Sequence, residues 1–119
     1  FAYQGFGVGV EEDRSAIQIF LEDGHEMIVA YSCSKNFSLC RQRLGAILAV
    51  GDSPKIAINV RSQIKSVIRG LYSNPPGYGA HIAAKILHEK DLKAEWMDEL
   101  SHMRGRLESM RHGLVDRLS

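Results

Sequence analysis

What this chain has little of narrows its role before any motif is considered. Cysteine is scarce: Cys33 and Cys40 are the two in 119 residues, too few for a disulfide framework and without the spacing of zinc ligands. Both read as reduced thiols of a cytoplasmic protein, with Cys33 a small filler rather than a nucleophile. Long apolar runs are missing, since no stretch approaches the roughly 20 residues that cross a bilayer. Nor does a basic segment lead into an apolar core in the manner of a secretory signal. An excess of one charge is missing too. Fifteen basic and 14 acidic residues leave a net +1, which gives no electrostatic case for nucleic acid or an anionic membrane. Arg104, Arg106 and Arg111 suggest a basic strip, but Glu95, Asp98, Glu99 and Glu108 interleave with them into a mixed solvated face. His25, His81, His88, His102 and His112 fall at no metal-ligand spacing. Internal repeats and low-complexity stretches are also lacking.

What is present supports one domain with a modest core, at 45% hydrophobic content. Residues 1–4 read as the end of a buried strand that breaks into a loop at Gly5, Gly7 and Gly9. Glu11, Glu12 and Asp13 suit a helix N-terminus, where the macrodipole favours anions. Ile17, Ile19, Phe20 and Leu21 fill that helix until Asp23-Gly24 ends it. Residues 27–31 are almost continuously apolar, as in a central parallel strand, and residues 44–50 form a second such run. Ser53-Pro54 is a cap followed by proline in the first helical position, and Ile56 to Leu71 carry a helix that Asn74-Pro75-Pro76-Gly77 must break. A short helix over 81–88 follows.

Asp91 then caps a long helix in which Leu92, Trp96, Leu100, Met103, Leu107, Met110, Leu114 and Leu118 recur every three or four residues. Met103 and Met110 read as core packing. About 29 residues at 1.5 Å each give roughly 43 Å, longer than a small domain, so this helix reads as a bridge between two bodies, with a coiled coil as the rival. Alternation of strand and helix over the first 70 residues predicts an α/β layer with a parallel or mixed sheet, with too few strands to complete a doubly wound domain. The chain opens on an aromatic, Gly-rich stretch and stops inside a helical pattern, so the sequence predicts a piece of a longer protein.

The chemistry concentrates in Ser32-Cys33-Ser34-Lys35-Asn36-Phe37-Ser38-Leu39, with Arg43-Leu44-Gly45 just beyond. A lysine at the end of a buried strand is poorly solvated, which favours the neutral, nucleophilic amine that a Schiff-base lysine needs. Arg43 and the serines supply phosphate donors, so a phosphate-bearing aldehyde would satisfy both groups. The run Ser32-x-Ser34-Lys35-x-x-Ser38-Leu39-x-Arg41-x-Arg43-Leu44-Gly45 resembles the cofactor-attachment signature of class I pyridoxal-phosphate-dependent aminotransferases. Upstream, Ala2-Tyr3-Gln4-Gly5-Phe6-Gly7 with Glu11-Glu12-Asp13 resembles the aspartate and aromatic (tyrosine) branch of that family. Downstream, Ile68-Arg69-x-x-Tyr72-Ser73-Asn74-Pro75-Pro76 does the same. The resemblance runs through essentially the whole chain in order.

This resemblance implies an α/β fold: residues 1–90 as part of the large cofactor-binding domain of the type I aminotransferase fold, and 91–119 as a long interdomain helix. It implies pyridoxal 5'-phosphate as cofactor, amino acids and 2-oxo acids such as 2-oxoglutarate as substrates, and a homodimer. Lys35 would hold the cofactor and serve as general base and acid, while Tyr3 would hydrogen-bond the cofactor's phenolic oxygen; a tyrosine packing at a strand end is the plainer alternative. Ser32 and Arg43 would bind the phosphate, although Ser32 equally suits a turn cap. Ser73 would reach the phosphate across the dimer interface or simply precede the Asn-Pro-Pro turn. Arg69 would read the distal carboxylate of a substrate in the neighbouring subunit or stand as a solvated helix-end arginine.

The Ser38-Leu39 pairing and the Gly7-x-Gly9 loop lean toward the aromatic members. The carboxylate that pairs with the pyridine nitrogen, the Gly-rich phosphate loop and the small domain lie outside the 119 residues, and Cys40 stands where an aromatic is usual. The isolated chain is therefore expected to be inactive alone. A non-catalytic interaction module is the rival reading.

Overall fold

The computed structural model describes residues 1–118. Its elements run α1 (Ser15–Glu22), β1 (Met27–Ser32), β2 (Gly45–Val50), α2 (Pro54–Tyr72), α3 (Tyr78–His88) and α4 (Lys90–Leu118), with single 3-10 turns at Glu12–Arg14 and Cys40–Gln42. Helices and strands together give the expected α/β chain. The direction of the strands corrects the sequence reading. β1 and β2 pair antiparallel, from Met27 opposite Val50 to Ser32 opposite Gly45. A continuous apolar run reports burial on two faces and carries no information on direction.

A parallel neighbour does lie on the other edge of β1. The Phe1 N-terminal nitrogen donates to Ala30 O at 2.6 Å and Ser32 N donates to Phe1 O at 3.3 Å, the slanted pattern of parallel pairing about Tyr31. That pairing ends at once, because Phe6 N donates to Tyr3 O and turns the chain. Within residues 1–4, Phe1 alone pairs with β1, and the chain turns after Tyr3.

Helix boundaries follow local chemistry. Ser53 is extended and its Oγ accepts from Ile56 N, with Pro54 opening α2. α2 ends at Ser73, and its Ile64 and Ile68 face Ile47 and Ala49 across a shallow groove. α3 starts at Tyr78, three residues earlier than the sequence suggests. Its buried Gly79 lets it sit against the turn before β2, where a Cβ at Gly79 would stand 2.9 Å from the Gln42 Cβ. The cap of α4 is Glu89, not Asp91. Glu89 is extended and its carbonyl accepts from Lys93 N at 2.9 Å, while Asp91 lies within the first turn.

The core is small. Among the described residues Cys33, Asn36, Ala83 and Leu100 are the buried non-glycine side chains. The apolar stripe of α4 is covered only in its first half, where Leu92 and Trp96 are half-buried and Leu100 is 1% exposed. Leu107, Met110, Leu114 and Leu118 are exposed, so the core role expected for Met110 is not met within these residues, and Met103 is half-buried. The physical cause is reach: α3 and the loops pack on the first turns of α4, whereas the helix spans about 43 Å.

Candidate active site

β1 delivers Ser32 to the end of the strand pair, and a tight turn carries Lys35 beyond it. Ser34 N donates to Ser32 Oγ at 3.2 Å, Ser38 N to Lys35 O at 3.1 Å, and Leu39 N to Cys33 O at 3.2 Å. Because Ser32 Oγ accepts in this turn, its O–H remains a donor for an anion. Cys33 N donates to Leu44 O, which brings the chain at Arg43 back beside the serines. Gly45 must lack a side chain there, since a Cβ would collide with Tyr31 O on the facing strand. Arg43 itself is left-handed (φ 51°, ψ 45°) and Nη1 donates to Cys40 O at 3.0 Å, with guanidinium donors to spare. Left-handed backbone at a residue with a Cβ costs about 1 kcal/mol, and such strain clusters at ligand-holding loops.

Lys35 is exposed, and its amine makes no hydrogen bond or ion pair among the described residues. The burial expected from its place at a strand end does not occur within this chain. Sequence reasoning assigned burial to the wrong residue: the side chain enclosed here is Asn36, 1% exposed. Asn36 Nδ2 donates to Gln4 O at 3.3 Å and to the Tyr31 hydroxyl. Trp96 Nε1 donates to Asn36 O at 2.7 Å, and the Trp96 ring stacks on Phe37 at 4.6 Å and 12°. The Lys35 turn is therefore fastened to the segment that carries Tyr3 and to α4. Burial pushes the Tyr31 phenol up, against the Asn36 bond, and Cys33 adds to the rise. Burial likewise pushes the Cys33 thiol up, which keeps it protonated and matches a filler role.

Tyr3 is 64% exposed and meets Phe6 edge-on at 6.4 Å. It lines a cleft of about 650 Å³ with Phe6, Asp13, Leu107 and Arg111, and Lys35 does not line that cleft. The loop below Tyr3 is built by Asp13, a residue whose place in the sequence suggests only a partner for the helix dipole. Its carboxylate accepts from Gly5, Gly7, Val8 and Gly9 amides at 2.7, 2.9, 2.8 and 3.4 Å. An acid within a few residues of alternating glycines was the available signal. Burial alone would raise the Asp13 carboxyl, but the four amides outweigh it and hold it below the ordinary range.

A carboxyl lowered by folding adds stability above its ordinary value near 3.9, and that gain is lost as pH falls through the lower folded value. Asp13→Asn is expected to cost about 1–2 kcal/mol at neutral pH. Urea unfolding between pH 6 and 2 checks this, and the gap between wild type and variant should close at the acid end.

Arg69 and Ser73 form a separate pair. Arg69 Nη1 donates to Ser73 Oγ at 3.3 Å at the exposed end of α2, and Ser73 has φ 69°. Neither hydrogen-bonds Lys35, Ser32, Arg43 or Tyr3 among the described residues. The structure thus brings Ser32, Lys35 and Arg43 to one strand end, ties the Tyr3 segment to it through Asn36, and leaves Arg69 with Ser73 apart. Among the described residues no group of histidine, cysteine and carboxylates could hold a metal ion.

Comparison with known proteins places this arrangement. The protein-family profile of aminotransferase class I and II matches residues 1–119. An aromatic-amino-acid aminotransferase of Pseudomonas aeruginosa is 44% identical over 119 residues, covering 100% of this chain and 30% of the relative. An aspartate aminotransferase of the same organism is 44% identical over 118 residues, with 99% and 30% covered. A crystal structure of an aromatic-amino-acid aminotransferase from Burkholderia pseudomallei, covalently bound to pyridoxal phosphate, superposes with a TM-score of 0.94. It is 46% identical and covers 98% of this chain and 29% of its own. The chain spans about 30% of the length of these relatives. The chain belongs to the aminotransferase class I and II family.

Proposed function

We propose that this chain carries the cofactor-holding lysine of a pyridoxal-phosphate-dependent aminotransferase acting on aromatic or dicarboxylic amino acids, with 2-oxoglutarate as amino acceptor. The observation that carries the reading is the meeting of Lys35, Ser32 and Arg43 at one end of the strand pair. The donor set fits the cofactor: a guanidinium and a hydroxyl with donors left over for a phosphate, and a primary amine for an aldehyde. Tyr3 is exposed on the segment that Asn36 holds through Gln4 O, and its phenol suits the ring's phenolic oxygen.

Pyridoxal phosphate, when bound, supplies an aldehyde and an electron-withdrawing ring that acidifies the Cα–H of an amino acid. Lys35 Nζ then takes and returns the proton at the substrate Cα. Arg43 and Ser32 hold the phosphate end in place, so that the amine meets Cα in one orientation. Arg69 and Ser73, apart from this cluster, are read as serving the corresponding site of a second subunit in a homodimer, Arg69 through the side-chain carboxylate of a dicarboxylic substrate and Ser73 through the phosphate.

Residues 1–90 serve in this reading as part of the cofactor-binding domain, and 91–119 as the helix toward a second domain. The exposed apolar faces of α2 and the distal half of α4 are surfaces that the longer protein covers, rather than a free-standing docking module. No helix among the described residues is long and apolar enough to cross a membrane. The free thiols Cys33 and Cys40 support a cytoplasmic site of action.

The test is reductive trapping in the full-length protein. Incubation with pyridoxal phosphate followed by borohydride should place one pyridoxyl group on the peptide containing Lys35. A label spread over surface lysines, or none on that peptide, overturns the reading.

A further inference from the structure

Asn36 makes a costly bargain for a residue outside the proposed chemistry. It is the buried polar side chain of the described chain, at 1% exposure, and its Oδ1 has no hydrogen-bond partner there. A buried acceptor left unmade carries its full desolvation cost, which an apolar side chain of similar size would avoid. Exchanging the two amide atoms does not remove the difficulty, because Oδ1 would then face the Gln4 carbonyl oxygen. What the amide gains is connection. Nδ2 joins Gln4, the residue after Tyr3, to Tyr31, the residue before Ser32. The Asn36 carbonyl takes the Trp96 indole N–H, with Phe37 stacked on the same ring. Segments 32, 5 and 60 residues away in sequence converge on the residue next to Lys35. Lys35 itself is exposed and makes no side-chain contact of this kind among the described residues, so its placement depends on the turn that bears it.

We propose that Asn36 is the positioning residue of the Lys35 site, acting together with Trp96: it fixes the amine of Lys35 relative to the Tyr3 segment and to the first turns of α4. This inference rests on the aminotransferase reading above. It assigns Asn36 no contact with substrate or cofactor. Its effect is on the geometry from which the amine attacks, where an error of about 1 Å costs up to 100-fold in rate.

Two variants of the full-length protein separate positioning from mere support. Asn36→Leu keeps the branched shape and the number of heavy atoms, deletes both side-chain bonds and removes the orphaned oxygen. Trp96→Phe keeps the stack on Phe37 and deletes the indole donor. The readouts are the rate at which added pyridoxal phosphate becomes trappable at Lys35 and the urea unfolding midpoint of the cofactor-free protein. Asn36→Leu is expected to slow capture about tenfold, beyond what any fall in its midpoint accounts for, and Trp96→Phe to slow it about threefold.

Capture at the wild-type rate in both variants overturns the inference. So does a fall in capture that merely tracks a fall in midpoint, which is what a structural role gives. Should Asn36→Leu fail to fold, Trp96→Phe decides by the same criteria. A wild-type protein that is not labelled at Lys35 overturns the aminotransferase reading, and this inference with it. Normal wild-type labelling with unaffected variants overturns this inference alone.

Discussion

Replacing Lys35 by arginine in the full-length protein should lower transamination between glutamate and an aromatic 2-oxo acid by at least about 10³-fold, in line with the loss of a general base and a nucleophile at one stroke. Arginine is the informative substitution because it keeps the positive charge and most of the length. The guanidinium does not release a proton at accessible pH, so it can neither attack an aldehyde nor take a proton from Cα. The exposure of Lys35 and the absence of side-chain partners among the described residues mean that little of the fold depends on the amine. The unfolding midpoint should therefore move by less than about 0.5 kcal/mol in stability. Steady-state assay and urea unfolding on the same preparation make the check. Activity retained above a tenth of wild type would remove Lys35 from the chemistry and leave Arg43 and Ser32 as a phosphate site without a reaction.

Local chemistry made much of this fold legible in advance. Ser53 and Pro54 announce α2 because a hydroxyl cap and a fixed φ act within one turn, and Pro75-Pro76 end its reach for the same local reason. The strand ranges were visible because apolar runs mark burial. Strand direction was not, since the same run suits a parallel or an antiparallel neighbour, and here β1 has one of each.

The site divides along the same line. Ser32, Lys35 and Arg43 lie within 12 positions of one another and could be read as a motif. The Trp96 bond to Asn36 closes 60 residues and left no local mark, because a tryptophan on an apolar helical stripe looks the same whether or not its N–H finds a carbonyl. Asp13 shows the remaining kind of miss. An acid at a helix start satisfies the dipole argument so readily that its four bonds into the glycine loop are easily overlooked.

Shortening Leu100 is expected to be the most damaging change to the folded state, and its size should depend on Gly5. Leu100 is 1% exposed and occupies the place where a side chain at Gly5 would stand, so that a Cβ on Gly5 would collide with Leu100 Cδ2. Gly5 also has φ +92°, a conformation that L side chains rarely adopt. Leu100→Ala should cost about 2–5 kcal/mol through lost contacts and the cavity left behind. Gly5→Ala should cost the backbone strain of about 1–2 kcal/mol plus the collision.

Made together, the two changes should cost less than their sum by more than about 1 kcal/mol, because Leu100→Ala removes the atom that the new methyl strikes. The φ strain of the second change and a tight 3.2 Å approach to Val10 Cγ2 would then remain. Urea unfolding of the two single variants and the double variant of the full-length protein measures the coupling, and additivity within about 0.5 kcal/mol would show that Leu100 and Gly5 do not pack as described. The same pair bears on chemistry. Gly5 amide is bonded to Asp13, and Gln4, its neighbour, holds Asn36. Loosening Leu100 should therefore also slow pyridoxal phosphate capture at Lys35, through α4 and the Tyr3 loop rather than through the Lys35 turn itself.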